Sequence, residues 1–185
     1  LAVERARVGV APHAAAFSLD LGEVWVANRE GGNLSIIDRN TNTVVAGVPL
    51  GGTPEALRFD PDGELLYITD SARNQLLVLD LNSTTVTRRV AVSEAPTGIA
   101  ISPDLSKLAI ANRGSNTVSI LVRGSLELQS EIPVGVGPLD LVFADDSNKL
   151  FVSVSGGVAV VDVADQRITQ VLTACAGPRE IALTF

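Results

Sequence analysis

Leu65-Leu66-Tyr67-Ile68-Thr69-Asp70, followed after a short polar break by Leu76-Leu77-Val78-Leu79-Asp80, is the stretch that decides the fold. Both runs are almost continuously apolar, as a strand covered on both faces should be, whereas a strand with one solvated face would alternate more cleanly. The same pair occurs upstream as Val24-Trp25-Val26-Ala27-Asn28 and Leu34-Ser35-Ile36-Ile37-Asp38. It occurs again downstream, at the same interval, as Leu108-Ala109-Ile110-Ala111-Asn112 and Val118-Ser119-Ile120-Leu121. A further copy is Leu150-Phe151-Val152-Ser153 with Val158-Ala159-Val160-Val161-Asp162. Prolines mark the period: Pro12, Pro54, Pro96 and Pro138 are evenly spaced, and Pro178 follows after a slightly shorter step. The repeat is about 42 residues long, a length typical of stacked structural units. The shortening of the last unit falls at Ser155-Gly156-Gly157, where a hairpin tolerates it.

Working outward, the same offset superimposes Gly9, Gly51, Ser93 and Gly135 before the prolines, and Phe17, Phe59, Ile101 and Phe143 after them. It also aligns Asp20, Asp62, Asp104 and Asp146, which can close a turn through a side-chain hydrogen bond; Asp62-Gly63 adds a residue able to take φ > 0. Each unit therefore reads as four short strands, A to D, separated by Gly, Asn, Asp, Ser or Pro clusters. The proline before strand A costs no ladder bond, because a strand's first residue can lack a partner. An antiparallel four-stranded unit of this length cannot bury both faces alone, and radial stacking buries them against neighbours. The expected fold class is thus all-β, a β-propeller of four-stranded antiparallel blades. Blades are expected at 12–53, 54–95, 96–137 and 138–177, with 1–10 the last strand of a preceding blade and 178–185 the first strand of a following one.

Composition narrows the partners. Hydrophobic residues make up 46% against 19% charged, and no apolar run approaches the roughly 18 residues of a spanning helix. The net charge of −7 offers no basic stripe for a phosphate backbone, so nucleic acid is not expected as a partner. Cys175 is the only cysteine, which excludes an internal disulfide, a thiolate metal cluster and a Cys-x-x-Cys redox pair. It aligns with the glycines at the end of strand D and reads as a small, partly buried structural thiol, a reactive nucleophile being the alternative. The chain has no methionine and opens mid-pattern at Leu1-Ala2-Val3, so a processed or partial chain is expected.

The units resemble the YVTN family of β-propeller repeats, a WD40-like and YncE-like group. The tetrapeptide appears as Trp25-Val26-Ala27-Asn28, Tyr67-Ile68-Thr69-Asp70 and Ala109-Ile110-Ala111-Asn112, with Phe151-Val152-Ser153-Val154 the weakest copy. Ser102-Pro103-Asp104, Asn116-Thr117-Val118-Ser119 and Gly135-Val136-Gly137-Pro138 are similar to the family's flanks. The resemblance implies a ring of commonly seven blades and an extracellular, periplasmic or cell-surface location. An arc of four blades would leave two apolar faces to be covered, by the rest of the ring or by a second copy of the chain, a closed four-bladed ring being the third arrangement.

In such a fold the D–A and B–C loops emerge on one face. The position after each proline varies as His13, Glu55, Thr97, Leu139 and Arg179, and the next position includes Asp140 and Glu180. Polar variation at a fixed position suits a tailored binding surface; ordinary solvated loop polarity is the alternative. The B–C loops carry Arg29, Arg73 and Arg113, able to clamp a carboxylate or sulfate bidentately or simply to form surface ion pairs. His13 is the only histidine, and with Glu55 and Glu180 it falls short of zinc-ligand spacing, so no metal is expected. Neither a Gly-x-Ser-x-Gly elbow nor a P-loop or dinucleotide fingerprint occurs, so no cofactor and no catalytic residues are assigned. Trp25 and Tyr67 share one repeat column and are expected to pack between blades.

The expected function is non-enzymatic recognition of a protein, glycan or small ligand through loops at the channel mouth. The alternatives are a propeller enzyme, lactonase-like or quinone-dependent, with its key residues on other blades, and a structural surface-layer repeat.

Overall fold

The computed structural model describes residues 6–18, 21–173 and 180–181. Among them there is no helix; the strands form four separate four-stranded sheets, each antiparallel and each in simple sequence order. The chain divides into two compact units, Leu1–Arg89 and Val90–Phe185.

The first unit holds two sheets. One consists of β1 (Pro12–Ser18), β2 (Glu23–Asn28), β3 (Asn33–Asp38) and β4 (Thr43–Pro49). The other consists of β5 (Pro54–Phe59), β6 (Leu65–Asp70), β7 (Gln75–Asp80) and β8 (Thr85–Ala91), whose end carries past the unit boundary. The pleat sends Trp25, Ala27, Leu34 and Ile36 of the first sheet into one cluster with Leu66, Ile68, Leu77 and Leu79 of the second. Trp25 sets its ring edge to face against Phe59, with centroids 5.9 Å apart and planes at 83°. The expected role of Trp25 in packing between blades is what the geometry shows. Tyr67 and the remaining residues of the two decisive runs, from Leu66 to Ile68 and from Leu76 to Leu79, are buried whichever face they point to. Burying a side chain of that size contributes roughly 1.5–3 kcal/mol, which makes these middle strands the main source of cohesion. β4 and β8 are mostly exposed, and β8 carries two threonines and two arginines.

The second unit repeats the plan. β9 (Pro96–Ile101), β10 (Lys107–Asn112), β11 (Thr117–Val122) and β12 (Leu128–Pro133) form one sheet. β13 (Leu141–Phe143), β14 (Lys149–Val154), β15 (Gly157–Asp162) and β16 (Arg167–Thr173) form the other. Their cluster joins Ala109, Ala111, Val118 and Ile120 to Leu150, Val152, Ala159 and Val161. The shortened hairpin closes at Gly156, whose φ of +91° lies in a region that glycine tolerates.

Aspartates close the turns as anticipated. Asp104 accepts from the Ser106 N–H at 3.0 Å, and Asp146 accepts from the Asn148 N–H at 3.0 Å. The Asp62-Gly63 turn is held by the Gly63 N–H on the Asp60 carbonyl at 2.9 Å, with Gly63 at φ +78°. Asp20 lies outside the described residues, as does Cys175. The aspartates ending the second apolar run act likewise between strands C and D: Asp38 accepts from the Thr41 N–H at 2.8 Å and Asp80 from the Ser83 N–H at 2.7 Å. Of the anticipated terminal strands, the described parts, 6–10 and 180–181, are not in strands.

Candidate binding site on the blade loops

Proline at the start of strand A has a second consequence. Without an N–H it cannot donate to the ladder, and the register slips beside it: between Pro12 and Ala14 against β2, and between Pro54 and Leu57 against β6. A bulge re-aims the side chains it contains. His13 and Glu55 sit in these two bulges.

The Glu55 side chain is only 7% exposed, and both its oxygens are engaged. Oε1 accepts from Arg29 Nε at 2.8 Å and from Ser71 Oγ at 2.7 Å. Oε2 lies 3.2 Å from His13 Nε2. A carboxylate taken out of water needs such compensation, because the desolvation penalty amounts to several kcal/mol. The partners come from both blades: His13 from β1, Arg29 from the β2–β3 turn, Ser71 from the β6–β7 turn. Arg29 and His13 stay open to solvent, with side chains 48% and 51% exposed. Arg29 uses Nε only; its two Nη groups have no partner among the described residues, and neither has His13 Nδ1.

Arg73 is arranged differently. Its Nη1 lies 3.5 Å from Asp70 Oδ2, and Asp70 is fully buried. Asp70 is already held by the Thr53 N–H at 2.8 Å and by Gln75 Nε2 at 2.8 Å. The guanidinium rests against Gly51. The loop from Gly51 to Glu55 is therefore flanked by one arginine–carboxylate pair at each end.

The remaining anticipated residues belong to the second unit. Arg113 is exposed, and among the described residues its side chain has no hydrogen-bonding or ion-pair partner. Asp140 Oδ2 accepts from the Ile181 N–H at 3.0 Å, and its backbone N–H donates to Ser153 Oγ at 2.9 Å. Glu180 is exposed, and Arg179 lies outside the described residues. Two participants were not anticipated, Ser71 and Asp70. The signal for Ser71 is positional: it stands one repeat after Arg29 and one repeat before Arg113, so serine occupies the arginine column and Arg73 is offset from it. Among the described residues no group of three or more His, Cys, Asp or Glu side chains is placed to hold a metal ion. No helix there is long and apolar enough to cross a membrane.

Four-stranded antiparallel blades with a constant repeat define this as a β-propeller protein. The chain matches the YNCE-like beta-propeller family over residues 3–106 and belongs to it. Among solved structures it is similar to Kuenenia stuttgartiensis hydrazine synthase, with a TM-score of 0.80 at 24% identity, over 88% of this chain and 49% of that one. It is also similar to a candidate 6-phosphogluconolactonase from Bacteroides uniformis ATCC 8492, with a TM-score of 0.78 at 19% identity, over 94% of this chain and 60% of that one. The chain thus spans about half to three fifths of these structures. At such identities the likeness concerns the fold. No curated protein matches the chain.

Proposed function

We propose that this chain is part of a recognition propeller that binds a protein, glycan or small ligand through the face bearing its D–A and B–C loops. The carrying observation is the buried Glu55, which draws His13, Arg29 and Ser71 from two blades into one cluster with half-exposed outer groups. Loops on a rigid scaffold are where such propellers vary and where binding groups are held in place. The test is a ligand screen with the full-length protein, with each hit mapped by hydrogen-exchange protection. Protection at residues 11–13, 29–32 and 51–55 is expected. Protection confined to the Asp62-Gly63 and Asp104 turns, or to the outer strands, would overturn the reading.

A second reading is a lactonase-like hydrolase. What favours it is the contact of His13 with Glu55, a carboxylate beside one imidazole nitrogen that leaves Nδ1 turned outward as a proton acceptor. One of the similar structures is itself described as a candidate lactonase. Turnover of lactones by the full-length protein, lost in His13→Gln, would replace the binding-only reading. An extracytoplasmic location is part of the proposal; it rests on the likeness to YVTN propellers and is tested by cell fractionation.

A further inference from the structure

The repeat contains its own control for the Glu55 cluster. Moving two repeats along the chain takes His13 to Thr97, Arg29 to Arg113 and Glu55 to Leu139. The arginine remains, but its carboxylate partner is replaced by an apolar side chain, and Arg113 has no partner among the described residues. The second unit nevertheless forms the same two sheets and the same kind of apolar cluster. Blade packing therefore does not require a buried carboxylate at this position. Such a group is costly to desolvate, and removing the demand for it by an apolar residue is commonly neutral or stabilising. Its presence between the first two blades calls for a use other than cohesion.

The use is visible in which atoms are left over. Arg29 gives its Nε edge to Glu55, which fixes the guanidinium plane and leaves Nη1 and Nη2 as a planar fork. A fork of that kind matches two oxygens of a carboxylate or phosphate. His13 approaches the other oxygen of Glu55 through Nε2, so its Nδ1 faces outward from the same carboxylate. Both side chains are about half exposed, while the residue that orients them is buried. We infer that this cluster captures the oxyanion group of a small acidic ligand, with the Arg29 Nη groups as the contacts, His13 Nδ1 adding a donor when the imidazole carries both protons, and Glu55 as the positioning residue. The inference rests on the recognition reading above and names the ligand class for the same loops.

The experiment uses full-length protein labelled for observation of arginine and imidazole side-chain resonances, titrated with inorganic phosphate, with acetate and with neutral glucose. The expected result is a saturable shift of the Arg29 and His13 signals with phosphate or acetate and none with glucose. Phosphate and acetate arms tell a phosphorylated from a carboxylated ligand. Arg29→Gln should weaken the bound anion by about tenfold or more, the loss of one charge-assisted pair. Arg29→Lys, which keeps the charge and loses the fork, should recover only part of it, and Arg113→Gln should change nothing. Melting temperatures without anion separate this from misfolding: Arg29→Gln, which leaves the buried Glu55 without its cation, should melt lower than the parent yet stay folded at the titration temperature. The inference is overturned if the anions leave both signals unmoved, or if Arg29→Gln and Arg113→Gln weaken binding equally. Should a neutral glycan or peptide protect these loops while anions do not, the recognition reading stands and this one fails. Should ligands map only to other surfaces, both fail.

Discussion

Arg29 Nε donates to Glu55 Oε1 at 2.8 Å, joining the β2–β3 turn of one blade to the first strand of the next. The bond is asymmetric in exposure. The carboxylate is nearly sealed from solvent, and the guanidinium is half in water. Deleting one partner is therefore not equivalent to deleting the other: an abandoned arginine can rehydrate, whereas an abandoned carboxylate cannot.

Glu55→Ala should lower stability by about 1–3 kcal/mol, because Ser71 loses the shorter of its two hydrogen bonds and a small cavity opens beside it. Glu55→Leu, which installs the residue found at the equivalent Leu139, should lose less than Glu55→Ala while also releasing His13 and Arg29. Denaturant midpoints of the two variants check the order. The reverse order would mean that the carboxylate is needed for cohesion after all.

Trp25 is 1% exposed and meets Phe59 edge to face, with its Nε1–H donating to Glu23 Oε2 at 2.9 Å. Trp25→Ala should cost about 3–5 kcal/mol, the usual range for emptying an aromatic site. Trp25→Phe keeps most of the volume and forfeits the indole donor, so a distinctly smaller loss is expected. Thermal unfolding monitored on both variants gives the comparison.

These middle strands were legible in the sequence because both faces of each run are apolar, and the repeat step placed the first strand of each blade near its proline. His13 and Glu55 were legible as loop positions following a proline. Their meeting was not, because it depends on two register slips and on the approach of neighbouring blades, neither of which leaves a local motif. Ser71 was hidden for a related reason: a serine in an arginine column looks like an ordinary turn residue until a buried carboxylate is found opposite it. Arg73 drew attention as a third clamp, yet its nearest carboxylate is Asp70, three residues away on the same blade.

Gly52 adopts φ +67°, and a Cβ there would overlap the Asp70 carboxylate; Gly22 has φ +64° with open space around it. Both alanine variants suffer left-handed strain, of order 1–2 kcal/mol. Only Gly52→Ala must also displace Asp70 from the Thr53 N–H and from Gln75. It should therefore be clearly the more destabilising, and it should disturb the Gly51 to Glu55 loop. Equal unfolding midpoints for the two variants would show that Asp70 moves freely, contrary to its burial.

The turn aspartates contribute to the acid sensitivity of the fold. Hydrogen bonds from Thr41 hold Asp38 below the ordinary aspartate range, those from Ser83 do the same for Asp80, and those from Asn148 and Lys149 for Asp146. Asp104 is lowered further, first by the Ser102 hydroxyl and then by the Ser106 N–H. Each folded-state value is depressed, so the unfolded chain binds protons first as pH falls. Their contribution is complete above the ordinary value of 3.8 and is lost as pH drops through the lower folded values. Stability should accordingly be insensitive to these groups between neutral pH and about pH 5, and decline below about pH 4. Asp104→Asn should lower stability at neutral pH, where its charged bonds are intact, and make the decline below about pH 4 shallower. Denaturant titrations of the two proteins across this range measure both slopes; parallel curves would mean that the Asp104 turn is no stronger in its charged form than in its neutral one.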